Sequence, residues 1–286
     1  MSSPRIEVSL APGRLLNEVV YVVPHAEEGR GGYGLLPITV HQVSGFNSPS
    51  ALVITGDLQY FSASLSDVAG VLLGVSVAEV LGDLADLGVI PEADQVGVVL
   101  TGDYYADRSG AMGASGPVDS VWVSWANRFH WVVGVQGNHD RFDESSKSHG
   151  ILAGTVVHVL DNSRVSLGDL KVVGVGGIMG NSRRPGRRSE AEYLNEVRDV
   201  ISLEPDILVL HESPAISEMG LLGSEALRVL LEASPPLLVC CGHVHWSTPI
   251  VRLNSGTVVV NADQRCVVLV GGEQSGLPQD PGLIRN

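Results

Sequence analysis

An α/β fold is predicted by three features of the sequence. Short, nearly uninterrupted apolar runs recur along it, each the length of a strand buried on both faces. Stretches with Leu and Val at helical intervals separate several of them. The hydrophobic fraction, 44% of 286 residues, is enough for a large core in one domain.

Each element follows in order. NEVVYVVP (17–24) and LPITVHQV (36–43) read as opening strands around a turn at Gly29–Gly34. ALVITGD (51–57) is the next strand. Over 64–88, Leu65, Val68, Leu72, Val75, Val80, Leu84 and Leu87 predict an amphipathic helix with a break near Gly74. Gly88, with Pro91 beyond, stops it. VGVVLTGD (96–103) is a strand, a Gly/Ser/Ala-rich loop (109–116) leads to a short helix near 117–129, and WVVGVQGNHD (131–140) follows. Residues 154–177 read as a β meander with turns at Asp161-Asn162 and Gly168-Asp169. Ser189 and Glu192 have the spacing of a capping box and open a helix to about Leu203. DILVLH (206–211) is a strand, and 223–233 a helix stopped by Pro235-Pro236. LLVCCGHVH (237–245), GTVVVNA (256–262) and CVVLVGG (266–272) complete the sheets. One domain over 1–286 is expected, with 1–45 as added N-terminal strands and 272–286 as a frayed polar tail.

Composition narrows the function. No run approaches the ~20 apolar residues of a membrane span. The N-terminus lacks the basic-then-apolar layout of a signal peptide. Cys240 and Cys241 sit inside an apolar run and, with Cys266, form no disulfide framework, so buried thiols and a cytoplasmic setting are expected. A formal charge of −14 disfavours unspecific nucleic-acid binding.

Five of the apolar runs end on residues that ligate metals: ALVITGD, VGVVLTGD, WVVGVQGNHD, DILVLH and LLVCCGHVH. Side by side, such strands bring carboxylates, an amide and imidazoles to one sheet edge. That mixture suits a pair of divalent cations, and paired cations point to phosphate-ester hydrolysis. His25, His41, His130, His149 and His158 read as surface or core histidines without a ligand role.

In chain order, Gly102-Asp103, Gly137-Asn138-His139-Asp140, His211 and Gly242-His243-Val244-His245 resemble the calcineurin-like metallophosphoesterase superfamily. The resemblance spans about 51–270. It implies an α/β architecture of two facing mixed β-sheets flanked by helices, with the site at the strand ends. It implies one metal on Asp57, residue 59, Asp103 and His245, and a second on Asp103, Asn138, His211 and His243, with Asp103 bridging and a bridging hydroxide as nucleophile. The superfamily's first motif is Asp-x-His, whereas Asp57-Leu58-Gln59 places Gln59 where His is expected. An amide oxygen is a weaker and harder donor than imidazole, so manganese is the expected metal, ahead of iron, zinc or magnesium. By the same resemblance His139 is the general acid, with Asp140 orienting it.

Two Arg-bearing segments are candidates for substrate contact. Arg108 lies in Tyr104-Tyr105-Ala106-Asp107-Arg108, which looks like the Gly-Asp-x-x-Asp-Arg-Gly element of the protein phosphatase branch with one extra residue. Arg183, Arg184, Arg187 and Arg188 make a positive loop in an acidic protein, suited to bidentate phosphate contact. The expected substrate is a small phosphate ester or a phosphoprotein. Two alternatives are a catalytically weakened fold acting as a binding module and a nuclease for short nucleic acid.

Overall fold

The computed structural model describes residues 6–23, 32–45, 48–63, 70–109, 113–143, 156–235 and 237–271. The expected frayed tail, the turn from Gly29 to Gly31, His25, His149 and the first six residues of the expected 64–88 helix lie outside them.

The chain opens with β1 (Glu7–Val8) and a long hairpin, β2 (Arg14–Val23) and β3 (Gly32–Ser44). β4 (Ala51–Gly56) and β5 (Phe61–Ser62) precede helix α1 (Leu73–Asp86). Then come β6 (Val96–Leu100), β7 (Gly116–Pro117), α2 (Asp119–Arg128), β8 (Trp131–Val135) and β9 (Asp140–Arg141). β10 (Val157–Leu160), β11 (Ser163–Leu167), β12 (Leu170–Val175), β13 (Ile178–Met179) and β14 (Arg187–Arg188) lead to α3 (Glu190–Ile201) and β15 (Ile207–Leu210). α4 (Glu225–Glu232), β16 (Leu238–Cys241), β17 (Ile250–Arg252), β18 (Val258–Asn261) and β19 (Arg265–Gly271) complete it.

The strands form two large mixed sheets, and four helices flank them among the described residues. The nine-stranded sheet runs β10-β8-β6-β4-β19-β3-β2-β5, with β1 on β3. The six-stranded sheet runs β11-β12-β15-β16-β18-β17. In the first, β4, β6, β8 and β10 are mutually parallel. In the second, β12, β15, β16 and β18 are.

Alternation of side chains along each strand builds the layers. On β4, Val53 faces α1 and α2 with Val77, Leu81, Trp122 and Trp125. Leu52 and Ile54, its neighbours on the opposite face, meet Val209, Leu238 and Val260 of the second sheet. That sheet turns Val173, Leu208 and Val239 outward against Tyr193, Val197 and Leu227 of α3 and α4. The expected sandwich is therefore present, with helix, sheet, sheet and helix in sequence.

Two readings change. The 154–177 segment is not one meander: β10 pairs parallel with β8 in the first sheet, while β11 and β12 form an antiparallel hairpin in the second. The chain changes sheets at Asp161-Asn162, where Asn162 adopts a φ of 43°. Turn residues mark a change of direction but not the partner chosen afterwards. The described part of the expected 64–88 helix is helical only from Leu73, and Gly74 sits in the first turn of α1, where a Cβ would press on Val121 and Tyr104. At α3, Ser189 Oγ accepts the Glu192 amide at 3.4 Å, the first half of the expected capping box. Cys240, Cys241 and Cys266 are all buried and unpaired. No helix among the described residues is long and apolar enough to cross a membrane.

Candidate metal centre

Both sets of parallel strands end at the same edge of the sandwich. Asp57 directly follows β4, Asp103 comes three residues after β6, Asn138 three after β8, His211 directly after β15 and His243 two after β16. Contacts between these loops join the sheets. His211 Nε2 lies 3.3 Å from Asp103 Oδ2, and the His243 amide donates to Asp57 Oδ2 at 2.9 Å. The ligand atoms of Asp103, His211 and His243 lie within 4.8 Å of one another.

Holding them there requires unusual backbone. Asp57, Asp103 and His243 have φ of 56°, 60° and 67°, each costing about 1–3 kcal/mol in a residue other than glycine. Neighbouring strand ends impose the conformation: the Asp57 amide donates to Gly102 O at 2.8 Å and the Gly242 amide to His211 O at 3.1 Å. The motif glycines clear the space. A Cβ at Gly137 would collide with Asp103 Oδ1, and one at Gly242 with Asp57 Oδ2.

The donor set fits a divalent cation. His211 Nδ1 donates to Thr101 O at 2.8 Å, which leaves Nε2 as the lone-pair nitrogen facing Asp103. Asn138 Oδ1 is buried without a hydrogen-bond partner, and His211 Nε2 has only Asp103 Oδ2 beside it, at 3.3 Å. Buried acceptors are ordinarily satisfied, and a cation beside Asp103 would satisfy both. Gln59 reaches the same place, its amide NH2 donating to Asp103 Oδ2 at 3.2 Å.

Without a cation the charges are unbalanced. Burial opposes a proton on His211, but the charges of Asp103 and Asp57 hold its pKa up, to about 10. Burial raises Asp57 well above the usual carboxylate range, and the charges of Asp263 and Asp103 add to that while His211 opposes it. Burial would raise Asp103 too, but protonated His211 beside it brings the net shift below the ordinary value. Burial, then the positive charges of His211 and Arg187, depress His243 to about 4.

Asp140 has a different role from the one expected. Its Oδ2 accepts the amides of Asp103 at 2.7 Å and Gly137 at 3.0 Å, and its Oδ1 accepts the Tyr104 amide at 2.7 Å. Its two oxygens are thus committed to backbone, and the buried His139 Nδ1 has no partner. Asp140 braces the loops after β6 and β8 instead of orienting the imidazole. His139 is positioned through its own backbone, its amide donating to Asp103 Oδ1 at 2.8 Å.

His245 stands apart from the gathered ligands. Its side chain is 58% exposed, with Nδ1 3.8 Å from Asp263 Oδ2. Arg265 Nη2 lies 3.3 and 3.2 Å from its two ring nitrogens. Asp263 was missed by the sequence reading, although GTVVVNAD (256–263) is a sixth apolar run ending on an acid. Glu212, next to His211, was missed as well; it is buried and accepts the Met179 amide at 2.9 Å.

The arginines divide. Arg187 is half-buried and close enough to His243 and Glu212 for its charge to act on both. It helps line a cavity of about 480 Å³ with Gln136, Arg141, Phe142 and Asp161. Arg188 is committed to structure: it binds both oxygens of Asp161 at 2.7 Å, Glu196 at 2.9 Å and Gly176 O at 2.7 Å. Arg183 and Arg184 are exposed on the loop between β13 and β14. Arg108 lies on another flank, its guanidinium 5.9 Å from the Phe61 ring centroid and lining a second cavity with Tyr105 and Leu72.

Residues 50–247 match the family model for calcineurin-like phosphoesterases. No curated protein matches the chain.

Proposed function

Because this chain belongs to the calcineurin-like phosphoesterases, we propose that it hydrolyses phosphate mono- or diesters with bound divalent metal. The observation that carries this reading is the gathering of Asp103, His211 and His243 ligand atoms within 4.8 Å, beside the unpartnered Asn138 Oδ1. In this proposal these four residues hold the tighter cation. Asp57, Asp103 and His245 hold a weaker one beside Gln59, and manganese suits that oxygen-rich set. When bound, two divalent cations would supply a water of lowered pKa and screen charge on the phosphoryl oxygens.

The chain's own residues do the rest. Arg187 contacts a phosphoryl oxygen, supported by its position beside His243. His139 donates a proton to the leaving oxygen, and its attachment to Asp103 sets where that oxygen must lie. Asp140 holds the backbone that carries both. The substrate is a small phosphate ester or a phosphoprotein, and the acidic surface disfavours nucleic acid. The three buried thiols support a reducing, cytoplasmic setting.

A panel of phosphate mono- and diesters tests this reading, assayed on chelator-stripped protein with manganese, zinc, magnesium or iron restored. Hydrolysis that requires metal, is best with manganese and is lost in His211→Ala supports it. Absence of hydrolysis with every metal, while metal still binds, would replace it with a binding module.

A further inference from the structure

Gln59 leaves the weaker metal position one imidazole short, and a buried carboxylate from outside the family match lies beside it. We propose that Asp263 is a metal ligand, completing with Asp57, Asp103 and His245 the position for which residue 59 supplies no imidazole. The proposal rests on the metal-dependent reading above and adds to it a ligand beyond residues 50–247.

The placement of Asp263 comes from backbone. It follows β18, which lies parallel to β16 in the second sheet. The Ala262 amide donates to Cys241 O at 2.8 Å, tying the segment to the end of β16. The Gln264 amide donates to Gly56 O at 3.2 Å, and Gly56 and Asp263 form a parallel bridge. Asp263 is therefore stitched between the strand end that carries Asp57 and the one that carries His243 and His245. Its amide donates to Asn261 Oδ1 at 3.2 Å, and Asn261 Nδ2 in turn donates to Val244 O at 2.9 Å. The turn bearing Asp263 and the turn bearing the two histidines are locked to each other.

The side chain has the features of a ligand awaiting a cation. Asp263 is 4% exposed, yet its carboxylate makes no hydrogen bond among the described residues. Its nearest ionic partner is His245 Nδ1 at 3.8 Å, too far for a hydrogen bond. Arg265 does not close the gap. Its Nε donates to the backbone O of Asp263 at 3.1 Å and its Nη2 to Trp246 O at 2.6 Å, while Nη2 also rests against the His245 ring. The arginine thus positions the imidazole and the turn and leaves the carboxylate open.

Charge points the same way. Asp57, Asp103 and Asp263 are each at most 7% exposed and close enough for their charges to act on one another. Buried carboxylates are retained when paired or bound to metal. One cation on Asp103, His211 and His243 leaves Asp57 and Asp263 as a second pair of buried carboxylates, with Arg265 and His245 the positive groups that act on Asp263. The unpartnered Asn138 Oδ1 marks the first cation's place beside Asp103, and Asp263 lies between the strand ends that carry Asp57 and His245. Gln59 has its NH2 on Asp103 Oδ2 and acts as a hydrogen-bond donor to the bridging carboxylate. Three carboxylates and one imidazole form a hard set, which favours manganese or magnesium over zinc.

Manganese titration of the full chain, by calorimetry and electron paramagnetic resonance, tests the assignment. The wild type should bind two Mn2+, with a spin-coupled signal at saturation. Asp263→Asn should keep the tighter Mn2+ at unchanged affinity and lose at least about 100-fold at the weaker position, more than a typical outer-shell change. Its signal should become that of an isolated ion. Asp263→Asn with Gln59→His should recover the second Mn2+. Thermal unfolding without metal separates ligation from support: removing a buried carboxylate charge that makes no hydrogen bond should leave the metal-free Tm equal or higher. Two Mn2+ at wild-type affinity in Asp263→Asn, a single Mn2+ in the wild type, or a lower metal-free Tm in the variant would each overturn the assignment. None of these would overturn phosphoesterase activity, which is decided by ester hydrolysis and its loss in His211→Ala.

Discussion

Asp140 holds Asp103 in place: its carboxylate accepts the Asp103 amide at 2.7 Å, and with it the amides of Tyr104 and Gly137. A residue adjacent to His139 in sequence thus serves the loop from the neighbouring strand. Asp140→Asn turns one acceptor oxygen into a donor facing an amide. It is expected to destabilise the protein by about 1.5–3 kcal/mol, the range for hydrogen bonds to a charged group. Urea unfolding of the metal-free protein measures it, and a change under 0.5 kcal/mol would refute the bracing role.

His139→Ala separates proton donation from metal binding. The His139 ring is not in the gathered ligand cluster, so the variant should bind metal as the wild type does. Turnover should fall by about 10²–10⁴-fold for esters with poor leaving groups and much less for nitrophenyl esters. Metal content and rates on both ester classes make the comparison. Loss of metal in proportion to activity would make His139 a ligand.

The layers were legible because every central strand is apolar on both faces, and the motif residues because each closes such a run. His243 and Asp57 could be paired only in space: the hydrogen bond from the His243 amide to the Asp57 carboxylate spans 186 residues of chain. Sequence adjacency misled at Asp140, where the neighbour in the motif is not the partner in the fold. The same strand-end rule applied once more, to GTVVVNAD, would have reached Asp263; stopping at the last superfamily motif left it out. Arg187 and Arg188 are equivalent in the sequence, and strand alternation in β14 sends them to different partners.

That alternation gives a paired test. Arg187→Ala should lower kcat/KM by at least about 10-fold, a loss of one charge-assisted phosphate contact of about 1.5–3 kcal/mol, with little change in stability. Arg188→Ala breaks ties to Asp161, Glu196 and Gly176 and should lower Tm while sparing the rate per folded molecule. Steady-state kinetics and thermal unfolding on both variants suffice. A stable, fully active Arg187→Ala would remove Arg187 from the substrate site.

Metal removal should reverse the role of pH. In the metal-free protein the His211 pKa is held at about 10, above its ordinary 6.5. A raised folded pKa means stabilisation that is complete below 6.5 and is lost as pH climbs toward 10. His243, lowered to about 4, works in the opposite direction but only below 6.5, and Asp140, raised to about 6, has also ionised by neutral pH. Asp57, raised well above the usual carboxylate range, works in the same direction as His211, so between about pH 7 and 8.5 Tm of the chelated protein should fall. Bound manganese takes the place of the His211 proton, and its affinity rises as that proton is lost. At fixed manganese the gain in Tm on adding metal should therefore grow from pH 7 to 8.5. Thermal unfolding in matched buffers with and without chelator measures both trends. A chelated protein equally stable across this window would mean that His211 is not protonated in the metal-free fold, and that Asp103 and Asp57 do not act on it as their positions imply.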